Sequence, residues 1–212
     1  MKSLVKQAPS KSRVSFLLAA ATCVTTALAY ADTALADVNP PVAAPVPFKT
    51  SVINRAITES EVLAAQKAWG DALVAISTTY EQKGIEAART LAEKVIDQAY
   101  AYQLTPVLFK PTLTVAPQTF RPTRAGALAY FVGGDPNFPL DKGFALKGWR
   151  KVEIQNLGIF IAGDSATTMG NVILTGKDGK TTTVDKTWVF LKDDTGKLRI
   201  VLHHSSLPFT GK

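Results

Sequence analysis

The sequence predicts a segregated α+β fold in which a curved antiparallel sheet packs against N-terminal helices. Three observations carry this. Helical apolar spacing dominates residues 58–102, strand-like runs fill residues 149–206, and Gly- and Asp-containing turns separate those runs. Of 212 residues, 46% are hydrophobic and 19% charged, a globular rather than a disordered or coiled-coil composition.

The elements follow in order. Thr58-Glu59-Ser60-Glu61 has the spacing of a capping box, and Val62, Ala65, Trp69, Leu73, Ile76 and Tyr80 then form one apolar stripe to about Glu81. Gly84 interrupts it, and Ala88, Leu91, Ala92, Val95 and Ala99 resume the helical period to about Tyr102. Val107 to Val115 is β-branched and aromatic, with Pro106 and Pro111 restricting it to an edge or bent strand. Arg124 to Phe131 reads as a short helix ended by Gly133 and Gly134. A loop over 133–148 precedes four strands near 149–162, 167–175, 181–192 and 197–206. Lys177-Asp178-Gly179-Lys180 and Asp193-Asp194-Thr195-Gly196 have hairpin-turn composition. Gly133-Gly134-Asp135 opens no helix directly and is followed by no Lys-Ser or Lys-Thr pair, so it is a loop rather than a phosphate cradle.

Ahead of the folded part lies a leader. Lys2, Lys6, Lys11 and Arg13 precede an apolar stretch over 14–30, and Ala29-Tyr30-Ala31 and Ala34-Leu35-Ala36 supply small-x-small cleavage triplets. Residues 1–36 are therefore expected to be a secretory signal peptide, with cleavage after Ala36 preferred and after Ala31 as the alternative. The mature protein would be periplasmic or secreted, with no membrane span. Residues 37–53 carry four prolines and read as an extended surface strap, which leaves 54–212 as a single domain.

Charge and cysteine counts exclude several classes. The chain is +7 overall, but from Asp37 onward 20 basic residues face 16 acidic ones, too diffuse an excess for a nucleic-acid footprint. Cys23, the only cysteine, lies in the leader, so the mature chain has neither a disulfide framework nor a thiolate zinc site.

The most informative stretch is Leu198-Arg199-Ile200-Val201-Leu202-His203-His204-Ser205-Ser206-Leu207-Pro208, which holds both histidines. Strand alternation places Val201, His203 and Ser205 on one face and Leu202, His204 and Ser206 on the other, so the two imidazoles do not converge on one metal ion. A three-histidine centre is impossible with two histidines, and zinc would need carboxylates or a second chain. On spacing alone the two histidines equally suit polar residues closing a strand edge. Thr112 and Tyr130 sit on segments expected to line the inner side of the sheet and its covering helix. Arg121 and Arg124, flanking Pro122-Thr123, could be anion ligands but read more readily as solvated, and Trp149 and Trp188 read as core.

Five blocks in order, Leu108-Phe109-Lys110-Pro111-Thr112, Phe120-Arg121-Pro122-Thr123, Gly126-Ala127-Leu128-Ala129-Tyr130-Phe131-Val132-Gly133-Gly134, Gly143-Phe144-Ala145-Leu146-Lys147 and His203-His204-Ser205-Ser206-Leu207-Pro208, resemble the iota-class carbonic anhydrases. The resemblance implies a cone-like α+β fold related to nuclear transport factor and ketosteroid isomerase folds. It also implies a homodimer and reversible hydration of carbon dioxide to bicarbonate and a proton. Its pocket residues match Thr112, Tyr130, His203 and Ser205. Members have been described both as metal-free and as using zinc or manganese. Here two adjacent histidines and no mature cysteine favour a pocket requiring no cofactor, with a zinc-dependent enzyme as the alternative. In this reading Tyr130, Thr112 and Ser205 orient carbon dioxide and water, and His203, with an ordinary pKa near 6.5, relays the proton. Two competing readings are proton abstraction from an organic acid or ketone, with Asp164 or Glu153 as base by elimination, and a non-catalytic binding or dimerisation module.

Overall fold

The computed structural model describes residues 54–211, so the leader with Cys23, Ala31 and Ala36, and the Pro-rich strap, lie outside the described residues. Helix α1 (Glu59–Ala99) begins as its capping box requires: Thr58 Oγ1 accepts from the Glu61 amide at 3.3 Å, and Glu61 Oε2 accepts from the Thr58 amide at 2.9 Å. Gly84, at φ 81° and ψ −176°, kinks α1 at the predicted break, so Val62, Trp69, Leu73 and Ile76 before it and Ala88, Ala92 and Ile96 after it all turn their buried sides to one core. A side chain at that positive φ is strained. Gly84→Ala is therefore expected to cost about 1 kcal/mol, read as a lowered denaturation midpoint at unchanged slope.

Helix α2 (Arg124–Val132) is capped by Thr123, whose hydroxyl accepts from the Gly126 amide at 3.2 Å, and it ends at Gly133 with φ 67°. The sheet has the order β1-β5-β4-β3-β2, with β1 (Leu108–Lys110), β2 (Trp149–Ala162), β3 (Ser165–Gly176), β4 (Thr181–Lys192) and β5 (Leu198–Ser206). Strands β2 to β5 form an antiparallel run. The expected all-antiparallel sheet needs one correction, because β1 pairs parallel to β5, with Phe109 opposite His203. The strand expected over 107–115 is also cut to three residues, since Pro111 has no amide to extend the ladder.

Register shifts interrupt the ladder between Trp149 and Lys151, between Asn156 and Gly158, and in β5. The β2–β3 register shifts between Asn156 and Gly158, where a Cβ on Gly170 would fall 2.1 Å from the Gln155 carbonyl oxygen, so only glycine fits at that crossing. In β5, Phe190 faces Ile200 and Val189 faces Leu202, which leaves Val201 as a bulge. The bulge adds a residue to the face expected from sequence: Ile200 is buried with His203 and Ser205, and Val201 is half-buried against the same core.

The core lies between α1 and the inner face of the sheet and includes Trp69, Tyr100, Phe109, Trp188, Phe190 and Ile200. Trp69 meets Trp188 edge-on at 5.5 Å, a geometry worth about 0.5–1.5 kcal/mol beyond the area it buries. Trp149 and Trp188 are both core, as expected.

Candidate active site

Strand β5 and the segment after β1 bring the hydroxyl groups together. Ser205 is buried on the inner face of β5, and the parallel pairing of β1 carries Thr112 alongside it, so that Thr112 Oγ1 and Ser205 Oγ lie 2.5 Å apart. Lys110, two residues earlier, fixes the same place from the backbone, donating from Nζ to the Ser205 carbonyl oxygen at 3.2 Å. Tyr130 enters from α2. Its ring stacks on Phe144 at 5.3 Å and stands edge-on to Phe109 at 5.6 Å. Burial raises its pKa above the usual phenol value, against the pull of hydrogen bonds from the Leu113 backbone and from Thr112. The phenol stays a proton donor at neutral pH. Thr112, Ser205 and Tyr130 thus form one cluster of hydroxyls in an aromatic wall.

His203 is on the same strand face as Ser205 and is 2% exposed, while His204 points outward and is exposed. This confirms that the two imidazoles diverge. Both ring nitrogens of His203 are engaged, Nδ1 with Tyr100 Oη at 2.8 Å and Nε2 with Lys186 Nζ at 2.6 Å. Its ring lies 4.4 Å from that of Phe109 and 5.5 Å from that of Trp69. Burial first, then the neighbouring Lys186 and His204, pushes its pKa well below the ordinary histidine value. The expected relay with a pKa near 6.5 is therefore corrected: His203 is a neutral ring with no open nitrogen to trade protons with solvent.

Sequence reasoning missed three further groups. Lys186 is buried on the inner face of β4, directly opposite Ser205. Its signal was present, because Val184, Lys186, Trp188 and Phe190 alternate onto one apolar face. Tyr100 closes α1 and ties Trp69 to His203. Arg121 is not solvated as expected but 2% exposed, donating from Nε and Nη2 to the Asp141 carboxylate, each at 2.8 Å, and from Nη1 to the Gln118 and Phe120 carbonyls at 2.7 and 2.9 Å. That pair clamps the segment carrying Thr112 to the loop after α2. Arg124 is surface-exposed and paired with Asp97.

The carboxylates proposed by elimination do not reach this cluster's chemistry. Glu153 is exposed and paired with Lys151, and Asp164 is only half-buried at the β2–β3 turn. Neither occupies the apolar pocket that raises a carboxylate base to a useful pKa. Among the described residues no three of His, Cys, Asp and Glu gather in a way that could hold a metal ion.

Comparison with known proteins then decides the family. Residues 60–207 match the family described as metal-independent carbonic anhydrase. The chain belongs to that family. A metal-independent carbonic anhydrase from Nostoc sp. (strain PCC 7120 / SAG 25.82 / UTEX 2576) is 65% identical over 199 residues, covering 94% of this chain and 97% of the relative. A crystal structure of the iota-carbonic anhydrase from a cyanobacterium, complexed with bicarbonate, is 74% identical with a TM-score of 0.74, covering 76% of this chain and 99% of that one. Like the other metal-independent carbonic anhydrases, this chain is expected to need no cofactor, the favoured outcome over the zinc alternative.

Proposed function

We propose that this carbonic anhydrase hydrates carbon dioxide at the Thr112–Ser205–Tyr130 hydroxyl cluster without a bound cation. The observation that carries the reading is the 2.5 Å contact between the Thr112 and Ser205 hydroxyls beside a phenol kept protonated by burial. The reaction needs a water oxygen to attack the carbon of CO2. One C=O π pair moves onto oxygen, an O–H bond of the attacking water breaks as its proton passes to a second solvent water and on to buffer, and bicarbonate forms. Charge grows on the former CO2 oxygens, so donors aimed there stabilise the transition state more than the neutral reactants. Tyr130 supplies such a donor. Thr112 and Ser205 can each give or take a hydrogen bond, so one can orient the attacking water while the other serves the growing anion. His203 anchors the wall beside them. Support for the substrate comes from the bicarbonate-bound relative, which is 74% identical to this chain.

Assembly and location belong to the same proposal. The outer face of the sheet exposes Leu108, Leu157, Phe160 and Met169, an apolar surface that suits a homodimer. The leader suits export to the periplasm, where the enzyme would interconvert carbon dioxide and bicarbonate. Stopped-flow hydration of CO2 by the purified chain tests the activity: a rate above the buffer blank that scales with protein concentration supports it, and a rate equal to the blank rejects it.

A further inference from the structure

Trp69 sets the direction of a hydrogen-bond chain beneath the site. An indole N–H can only donate, and Trp69 Nε1 donates to Tyr100 Oη at 3.0 Å. The Tyr100 hydroxyl has a single proton, and its other partner is His203 Nδ1 at 2.8 Å. Giving that proton to Nδ1 satisfies both groups. The opposite tautomer would aim two donors at Tyr100 and leave its own proton without an acceptor in a fully buried position, which is costly. His203 therefore carries its proton on Nε2, facing Lys186 Nζ at 2.6 Å. An ammonium group has three donors and no acceptor, so this contact requires the amine lone pair.

We propose that Lys186 is a positioning residue of the active site that works as an uncharged amine, accepting the Nε2 proton of His203 and so holding that ring in place beside Ser205. The proposal deepens, and rests on, the reading of the Thr112–Ser205–Tyr130 cluster as the hydration site. Its geometry is specific: Lys186 is the cross-strand partner of Ser205, and Nζ lies 4.9 Å from the Trp69 ring and 5.3 Å from the Trp188 ring. Burial pushes its pKa down to about 7.

The groups that face this amine explain why it gives up its charge. From β5 come His203 and Ser205, whose carbonyl accepts from Lys110 Nζ of β1. From α1 and its end come Trp69 and Tyr100, and from β3 comes Gly170, which has no side chain. Tyr130 of α2 is a buried, protonated phenol on the far side of Phe109, and Asp141 is occupied by Arg121. His204, which also bears on His203, faces outward. No carboxylate pairs with Lys186 among the described residues, so only the faces of the Trp69 and Trp188 rings favour the charged form, and burial outweighs them.

Protonation of the amine removes its lone pair, leaving two donors facing each other at Nζ and Nε2. The His203 ring then keeps only its Tyr100 anchor, and the change reaches Tyr130 through Phe109, which contacts both. Hydration is expected to fall as pH drops through about 7. The amine also binds fewer protons folded than unfolded between that value and the ordinary lysine value, so folding stability rises as pH increases across the window.

The test uses the full chain, labelled with 15N. At about pH 8 the imidazole correlations of His203 are expected to have the Nε2–H pattern, and the Lys186 amine to be neutral, gaining its proton near pH 7. A Lys186 that stays ammonium to about pH 9, or a His203 in the Nδ1–H form, would overturn the proposal. Neither readout depends on CO2 hydration, so failure of the assigned reaction leaves this result decisive. In kinetics, Lys186→Met is expected to lower kcat/KM by about 10-fold or more near pH 8 and to abolish the fall below pH 7, and Lys186→Arg, which cannot accept a proton, does not restore it. A Lys186→Met enzyme with the native rate and pH profile would refute the positioning role.

Discussion

Ser205→Ala is expected to lower kcat/KM for CO2 hydration by roughly 10²–10³-fold, the usual loss when one preorganised donor at a developing oxyanion is removed. Tyr130→Phe is expected to do the same, and it is the cleaner probe. The ring keeps its stacking on Phe144 and its edge contact with Phe109, so the variant deletes only an oxygen. Thr112→Val removes the partner of Ser205 at constant shape. Because Thr112 and Ser205 share one hydrogen bond, the double variant should be little worse than either single one. Stopped-flow measurement, with folding checked by circular dichroism, decides the matter. Native rates in both Ser205→Ala and Tyr130→Phe would reject the assigned roles.

The second large effect concerns stability. Arg121→Met is expected to destabilise the fold by about 3–5 kcal/mol, because it strands the Asp141 carboxylate without its cation in a site that is 2% exposed. That is a large part of the roughly 5–15 kcal/mol that holds a domain folded, so the variant should unfold at much lower denaturant. Asp141→Leu alone strands the guanidinium and should cost a similar amount. Combining the two replaces a buried ion pair by apolar groups and should recover much of the loss, since such pairs contribute little net stability over well-packed hydrophobic residues. A single variant costing less than about 1 kcal/mol would contradict this account of the clamp.

The legibility of the fold in the sequence divides along physical lines. Signals contained in one segment were readable: the Thr58 capping box, the Gly84 break, the start of the short helix at Arg124, and the strand ends at Trp149, Ala162, Thr181 and Lys192 all emerged where local chemistry places them. Pairings across the chain were not. Nothing in Leu108-Phe109-Lys110 specifies that it runs parallel to β5, because direction depends on where α1 delivers the chain. The Val201 bulge escaped detection for the same reason, since a bulge exists only relative to the facing strand.

The site divides similarly. Period-two alternation alone put His203 and Ser205 on one face, opposite His204. Thr112 and Tyr130 could be placed only on segments lining the inner side of the sheet and its helix; the family resemblance marked them as pocket residues, and the contact of Thr112 with Ser205, 93 positions on, has no local signal. Arg121 read as solvated because its partner Asp141 lies in a loop 20 residues away. Lys186 carries a local signal, a lysine on the apolar alternation of β4, but nothing local marks its contact with His203. The pKa assigned to His203 went astray because burial, not residue type, governs that imidazole.

The central claim is that hydroxyl groups in a shielded wall, rather than a cation, lower the barrier to hydration. It is tested most directly by stripping the purified chain with a strong chelator, verifying metal content by elemental analysis, and measuring CO2 hydration before and after adding zinc or manganese. The account predicts the same rate in the stripped and the metal-supplemented protein. A stripped protein that loses its activity and regains it only with added metal would contradict the account.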